Sequence, residues 1–357
     1  MKAALISLGS TSSKWTYEAM QKYFDTVDNI NLKDIEVSVG KEPKILHKGT
    51  KIKNYDCIFA KGSFRYAQIL QSITNFLFDD CYMPINPESF TYVHDKLLTH
   101  LILQKHNIPM PKTYITSGIE GAKALLKNNV KFPIVMKFPK GTGGKGVMFS
   151  DSFSSASSIL DALAALNQPF IIQEYIDTGG EDLRLIVAGE KIIASYTRVA
   201  NIREKRANLH SGGTGVPANP DIYTKKIAIK AAKALKADLI GIDILVGPKG
   251  PLVIEANLSP GLQGVTKITN IDVADRIAKF LHKKTNERNS NPKEKSANDL
   301  LREASKENDS DNEIFSSITL RGNRILIPEI ASKISGFTPD EDVIITASKG
   351  KIIIKKF

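Results

Sequence analysis

Cysteine is nearly absent: Cys57 and Cys81 are the only two in 357 residues. Their spacing matches neither a metal-ligating nor a redox pair, which excludes a disulfide scaffold and a cysteine-built zinc or iron–sulfur centre. Long apolar runs are missing too, so nothing in the sequence reads as a membrane helix. The opening MKAALISLGSTSSK has one early lysine and an apolar stretch too short for a secretion signal, and it reads better as a first buried strand. Acidic residues are in deficit. With 38 Asp and Glu against 49 Lys and Arg, the formal charge of +11 points to anionic partners such as nucleotides, acidic metabolites or nucleic acid. What remains, 42% hydrophobic and 24% charged residues, is the balance of a soluble, multidomain, cytoplasmic protein with no membrane partner.

Residues 1–89 read as a small α/β domain, with ALISL and DCIFA as buried strands and KWTYEAMQKYF and FRYAQILQSITNFLF as helices. A second region, 90–282, opens on one helix, YVHDKLLTHLILQKHNI, stopped by Pro109 and Pro111. Strands PIVMKF, GVMFS, FIIQEYI, LRLIVAG and KIIASYTR then mix with helices SSASSILDALAALN and TKKIAIKAAKALKA, as in α/β and α+β folds. Residues 283–313 are polar, charge-mixed and poor in large apolar side chains, the composition of a flexible linker. A β-rich module, 314–357, closes the chain.

The most informative segment is GIDILVGPKGPLVIEANLSPG, residues 241–261. GPKGP can only be a tight turn between two apolar strands, which makes a hairpin. Alternation points Glu255 and Asn257 to one face, and Asp243 on the partner strand faces them. Two carboxylates and a carboxamide on apolar flanks are hard oxygen ligands suited to Mg²⁺ and nucleotide phosphates. Two ordinary surface acids beside a turn are the bland alternative, and the scarcity of water there argues against it.

Lys137 ends the strand PIVMK and leads into FPKGTGGKGV. Gly141, Gly143 and Gly146 formally satisfy G-x-G-x-x-G, but the chain continues into the strand VMFS, where a dinucleotide fold needs a helix. A glycine-rich hairpin whose amides close over phosphates, with Gly144 among them, is the remaining reading. Glu174 and Tyr175 end the strand FIIQEYI, where backbone groups can meet an adenine edge. Asp182 can accept from a ribose hydroxyl, and Arg184 can face an anion. Arg198, Arg206 and Asn208 add basic and amide groups, Arg matching phosphate geometry with its fork of donors. Lys61 and Arg65 can reach a substrate from the first domain, although an ordinary basic helix start is the commoner case. His94, His100 and His106 recur every six residues, share no helix face, and make poor metal ligands.

In this order the motifs resemble the ATP-grasp superfamily, and within it the RimK-type amino-acid ligases; the likeness spans roughly residues 90–281. The resemblance implies a two-subdomain ATP-grasp fold behind an N-terminal α/β domain. It implies that Lys96, Lys137 and the glycine-rich loop contact nucleotide phosphates, that Glu174 and Tyr175 form the adenine hinge, and that Asp182 lies near the ribose. Arg206 and Asn208 would sit by the reacting phosphate, and Asp243, Glu255 and Asn257 would hold two Mg²⁺ ions, or Mn²⁺ in their place. Ser259 and Gly261, with Arg184, correspond to the amino-acid site. The family's common Arg between His and Gly-Gly is Ser211 here, so the substrate identity of the ribosomal-protein-modifying members does not transfer simply to this chain.

The tail SITLRGNRILIPEIASKISGFTPDEDVIITASKGKIIIKKF resembles AbrB/MazE-type swapped-hairpin domains, with RGNRILIP at their R-x-x-I-P opening. That likeness implies an intertwined dimer, and less readily DNA binding, because Glu329, Asp340, Glu341 and Asp342 offset Arg321 and Arg324. The leading expectation is an ATP- and Mg²⁺-dependent carboxylate–amine ligase, working through an acyl phosphate and releasing ADP. The family likeness implies glutamate as the amino acid. The acceptor carboxylate would belong to a protein C-terminus, a carrier protein, or a pterin- or deazaflavin-type coenzyme. The competing expectation is a nucleotide-sensing DNA-binding regulator.

Overall fold

The apolar run KAALIS forms β1 (Lys2–Ser7), buried from Ala3 to Ser7, as expected of a strand covered on both faces. In the computed structural model it is followed by α1 (Thr11–Met20), whose Ser10 cap accepts from the Ser13 amide. The strand β2 (Thr26–Asn31) runs parallel to β1. Strands β3 (Ile35–Ser38), β4 (Lys44–His47) and β5 (Thr50–Lys51) make a small antiparallel ribbon. The strand β6 (Cys57–Ala60) pairs parallel to the other side of β1, and α2 (Ala67–Leu77) follows. Described residues are 1–41, 44–141, 144, 146–200, 214–290, 319–322, 324–326, 335, 343–348 and 351–356.

The single helix expected over 92–108 is two. The helix α3 (Pro87–Val93) ends at His94, and α4 (Lys96–Lys105) restarts because the Asp95 carboxylate accepts from the Leu97 and Leu98 amides. A half-buried aspartate cap overrides apolar periodicity that runs through it. Beyond come β7 (Thr113–Tyr114), α5 (Ile119–Asn128), β8 (Ile134–Lys137), β9 (Val147–Ser150), α6 (Phe153–Ala165) and β10 (Ile171–Glu174). These strands form a four-stranded sheet in the order β7-β10-β8-β9, packed on α5 and α6 around Leu126, Ile134, Met136, Leu160 and Ile172.

The next strands are β11 (Glu181–Ala188), β12 (Lys191–Val199) and β13 (Thr214–Pro217). After α7 (Ile222–Ala234), β14 (Leu239–Gly247) and β15 (Gly250–Asn257) form the hairpin read from the sequence, turning at Pro248 and Lys249. Together they make a five-stranded antiparallel sheet in the order β13-β12-β11-β14-β15. The helices α8 (Leu262–Thr269) and α9 (Val273–Ser290) complete this part. One continuous apolar core joins it to the N-terminal sheet, from Leu5 and Phe59 to Leu185, Ile242 and Leu281. The four-stranded sheet keeps a separate core.

Two compact units result, Met1–Glu294 and Lys295–Phe357. The linker expected from residue 283 therefore begins later. Residues 283–290 extend α9, Thr285 is fully buried, and Arg288 donates to the carbonyls of Phe78, Asp79 and Cys81. A polar composition was read as solvated chain, whereas here it is one face of a packed helix. In the tail, β16 (Thr319–Arg321) and β17 (Arg324–Leu326) form a hairpin turning at Gly322 with φ of 61°. A second hairpin pairs β18 (Val343–Ser348) with β19 (Lys351–Lys356).

A prediction follows for the boundary. Deleting residues 295–357 should leave the thermal midpoint within about 2 °C of the full chain. Truncation after His282 should instead cost roughly 3 kcal/mol in urea unfolding, because it removes Thr285 and Arg288.

Candidate active site

Strand alternation places Asp182 and Arg184 on one face of β11, Arg198 opposite Asp182, and Asp243 opposite Arg184. The four side chains form a closed network. Arg184 Nε and Nη2 donate to Asp243 Oδ1 and Oδ2 at 2.6 and 2.5 Å. Arg198 Nε and Nη2 donate to the two oxygens of Asp182 at 2.5 Å, and its Nη2 also reaches Asp243 Oδ2 at 2.8 Å. Asp243 and Arg198 are only 3% and 7% exposed at the side chain, so two cations balance two anions out of water. Burial pushes the Asp243 carboxyl up, but the two guanidiniums outweigh it and hold the group below the ordinary carboxylate range.

Glu255 lies directly across the hairpin from Asp243, and Asn257 across from Gly241. A bulge between Asp243 and Ile244 shifts the register just past the acidic pair. The Glu255 carboxylate is 36% exposed, and Lys96 Nζ lies 3.9 Å away. The same ammonium donates to the Gly141 carbonyl at 2.9 Å. One lysine thus touches both the glycine-rich hairpin and the acidic hairpin. Lys137 ends β8 and donates to Gln173 Oε1 at 2.6 Å, whose amide in turn donates to Thr113. Desolvation pulls the Lys137 ammonium down to about 8, against the attraction of Glu255.

The glycine-rich segment is the β8–β9 hairpin expected, with Gly141, Gly144 and Gly146 all at positive φ. At Gly146 a Cβ would stand 2.3 Å from the Phe138 ring, so only glycine fits the turn. Glu174 ends β10 and its amide donates to the Lys112 carbonyl, while the Tyr175 ring meets Phe149 edge-on at 6.1 Å. Both stand at the end of the four-stranded sheet, where the chain leaves β10 for β11. Ser259 donates its amide to Asn257 Oδ1, and Gly261 caps α8, whose Leu262 amide donates to Ser12 of the N-terminal domain. Arg206, Asn208 and Gly143 lie outside the described residues.

The donor chemistry fits a hard divalent cation. A carboxylate offers about four lone-pair sites, and Asp243 uses three of them, leaving one on Oδ1. Glu255 is open to solvent, and Asn257 contributes an amide oxygen. Among the described residues no group of three or more His, Cys, Asp or Glu side chains is arranged to hold a metal. The set expected from the sequence is two carboxylates and an amide, Asp243, Glu255 and Asn257.

Sequence reading undervalued two residues. Arg198 was one basic group among several, yet it links Asp182 to Asp243; its register opposite Asp182 is the signal that was available. His100 is 4% exposed and one helical turn from Lys96, with the Ile254 backbone beside its ring. Burial, reinforced by Lys137, pushes its imidazole down to about 4, so it is neutral and no metal ligand is built from it. A cavity of about 200 Å³ is bordered by Glu181, Asp182, Leu183, Thr197 and Val246, so it reaches the edge of the charged network.

Comparison with known proteins places these features in a family. A model described as a RimK-like ATP-grasp domain matches residues 93–281. The chain is 32% identical to a ribosomal protein bS6–L-glutamate ligase of Salmonella schwarzengrund, over 79% of this chain and 96% of that protein. It is equally similar, at 32%, to a probable alpha-L-glutamate ligase of Serratia proteamaculans, over 80% and 96%. Among solved structures, a RimK domain ATP-grasp protein of Sphaerobacter thermophilus superposes with a TM-score of 0.62 at 18% identity, covering 79% of this chain and 99% of that one. The ATP-grasp ligase PsnB, complexed with minimal precursor, Mg and ADP, gives 0.63 at 15% identity, over 80% and 98%.

The network makes its own prediction. Replacing Arg198 by Met leaves Asp182 and half of Asp243 buried without a counter-charge, and should cost about 3–5 kcal/mol in denaturant unfolding. Asp243 is held below its ordinary value of 3.8, so its contribution is fully present above that pH and lost as pH falls through its lower folded value. The wild type should therefore lose more stability than Arg198→Met between roughly pH 5 and pH 2.

Proposed function

The chain belongs to the RimK-like ATP-grasp family, ATP- and Mg²⁺-dependent ligases that form C–N bonds, and we propose that it joins glutamate to a carboxylate acceptor through an acyl phosphate. The observation that carries this reading is Lys96, whose ammonium contacts both Gly141 of the glycine-rich hairpin and Glu255. A phosphate cradle and an acidic hairpin brought together by one cation are what a Mg-nucleotide requires. Glutamate is the amino acid named for the similar ligases of Salmonella and Serratia. A peptide acceptor is supported by PsnB, a ligase seen with its precursor, and a small carboxylate remains the other acceptor class.

In this reading Lys96, Lys137 and the amides around Gly141, Gly143, Gly144 and Gly146 bind the phosphates. Backbone groups of Glu174 and Tyr175 bind adenine. Asp182 keeps a free lone pair on each oxygen beyond those used by Arg198, enough to accept from a ribose hydroxyl. Asp243, Glu255 and Asn257 would hold Mg²⁺, which when bound neutralises charge on the transferred phosphate. The acceptor carboxylate attacks the γ-phosphorus of ATP, ADP leaves, and Arg206 and Asn208 stabilise the charge that develops. Glutamate's amine then attacks the acyl carbon, losing a proton and expelling phosphate. Arg184 uses Nε and Nη2 on Asp243, so its Nη1 is left for a substrate carboxylate beside Ser259 and Gly261. Closure of the hairpin would keep water from the acyl phosphate.

The tail supports self-association as a second partner. Val343, Ile345, Ile352 and Ile354 share one face of the β18–β19 hairpin, and the first three are 37%, 61% and 51% exposed. A lone two-stranded hairpin with an open apolar face is not stable in water.

Two outcomes test the proposal. Glu255→Gln should reduce ADP release by at least about 100-fold while leaving the urea midpoint unchanged, since Glu255 is outside the buried network; full turnover would remove the metal assignment. Sedimentation should show a dimer for the full chain and a monomer once residues 295–357 are deleted; equal masses would remove the tail assignment.

A further inference from the structure

The strand β10 reads IIQE, and period two sends its side chains alternately to the two faces of the four-stranded sheet. Ile172, with Ile134 and Met136 of β8, turns into the core shared with α5 and α6. Gln173 and Lys137 therefore lie on the opposite face. Lys137 is the diagonal neighbour of Gln173 on β8, and Thr113 of β7 stands directly across from it. Gln173 is 2% exposed. A carboxamide so buried costs free energy unless both of its ends are hydrogen-bonded.

Both ends are bonded here. Gln173 Oε1 accepts from Lys137 Nζ at 2.6 Å, and Nε2 donates to Thr113 Oγ1 at 2.9 Å. The Thr113 hydroxyl gives its one proton to the Pro111 carbonyl, at 3.0 Å. A carbonyl can only accept, so the chain has a single direction. Pro111 obliges Thr113 to donate, Thr113 is left to accept from the amide nitrogen, and the amide oxygen has to face the lysine. A backbone carbonyl thus sets the position of the Lys137 ammonium through two neutral links. A glutamate in place of Gln173 would bind that ammonium more strongly. It would also neutralise the lysine and offer Thr113 no donor. The amide holds the cation without cancelling it, which suits a lysine whose charge is meant for another anion.

We propose that Gln173 is a positioning residue for the ligase reaction: its amide oxygen holds the Lys137 ammonium in place for the ATP phosphates and, being neutral, leaves the charge to them. The assignment rests on the reading of Lys137 as a phosphate contact, and adds the residue through which β7 and β10 hold it.

Calorimetric titration of the full chain with a non-hydrolysable ATP analogue and Mg²⁺ tests this as a double-mutant cycle. Gln173→Leu should weaken binding at least about 10-fold, the loss expected when a hydrogen bond to a charged group is removed. In the Lys137→Met background the same change should alter affinity less than about 2-fold, because it acts through the lysine. Gln173→Glu keeps the side-chain length and should keep the urea midpoint, yet it should also weaken the analogue at least about 10-fold by pairing off the charge. Equal losses from Gln173→Leu in both backgrounds would make the residue merely structural and overturn the proposal. Undiminished affinity in Gln173→Glu overturns it independently, even if Gln173→Leu does not fold. A Lys137→Met protein that binds the analogue as tightly as wild type removes the phosphate reading of Lys137 itself, so the two failures are distinct.

Discussion

Four side chains on three adjacent strands decide what the site can be. Asp182, Arg184, Arg198 and Asp243 neutralise one another in a site from which water is largely excluded. A buried ion pair adds little net stability against an apolar replacement, yet removing one partner is severe. The network is therefore better understood as a device for holding geometry. It fixes the Asp243 carboxylate opposite Glu255, and it orients Asp182 with both oxygens engaged but not saturated. Everything proposed for nucleotide and metal is built on those two orientations. Glu255 is the complementary case, exposed and lightly held by Lys96, so it is free to take a ligand that Asp243 alone has too few lone pairs to hold.

Much of this was legible in the sequence because strands encode facing by simple alternation. The β14–β15 hairpin, and the placing of Asp243 opposite Glu255, follow from period two and one Gly-Pro turn. The β8–β9 hairpin follows from glycines between two apolar runs. Cross-strand partners were harder to see. Nothing local says that Arg184 faces Asp243, 59 residues on, because register between strands distant in sequence is set by the whole sheet. The errors at α3–α4 and α9 share another cause. In each, apolar periodicity or composition was read without the one side chain that decides the matter, the Asp95 cap or the Arg288 anchor.

The N-terminal domain carries no sharp motif, and its importance came out only through packing. Its core is continuous with that of the five-stranded sheet. Ser12 and Leu262 then tie its carboxyl edge to the segment following the acidic hairpin. A domain that merely preceded the catalytic one would not share a core with it. The arrangement makes this part of the chain integral to the packing of the five-stranded sheet.

The lysines divide by what surrounds them. Lys22, Lys53, Lys123 and Lys233 sit beside carboxylates on the surface, where each pair is worth little. Lys96 and Lys137 belong to the proposed nucleotide site, and each has an oxygen within reach. Lys61 alone combines deep burial with a lack of any acid among its described neighbours.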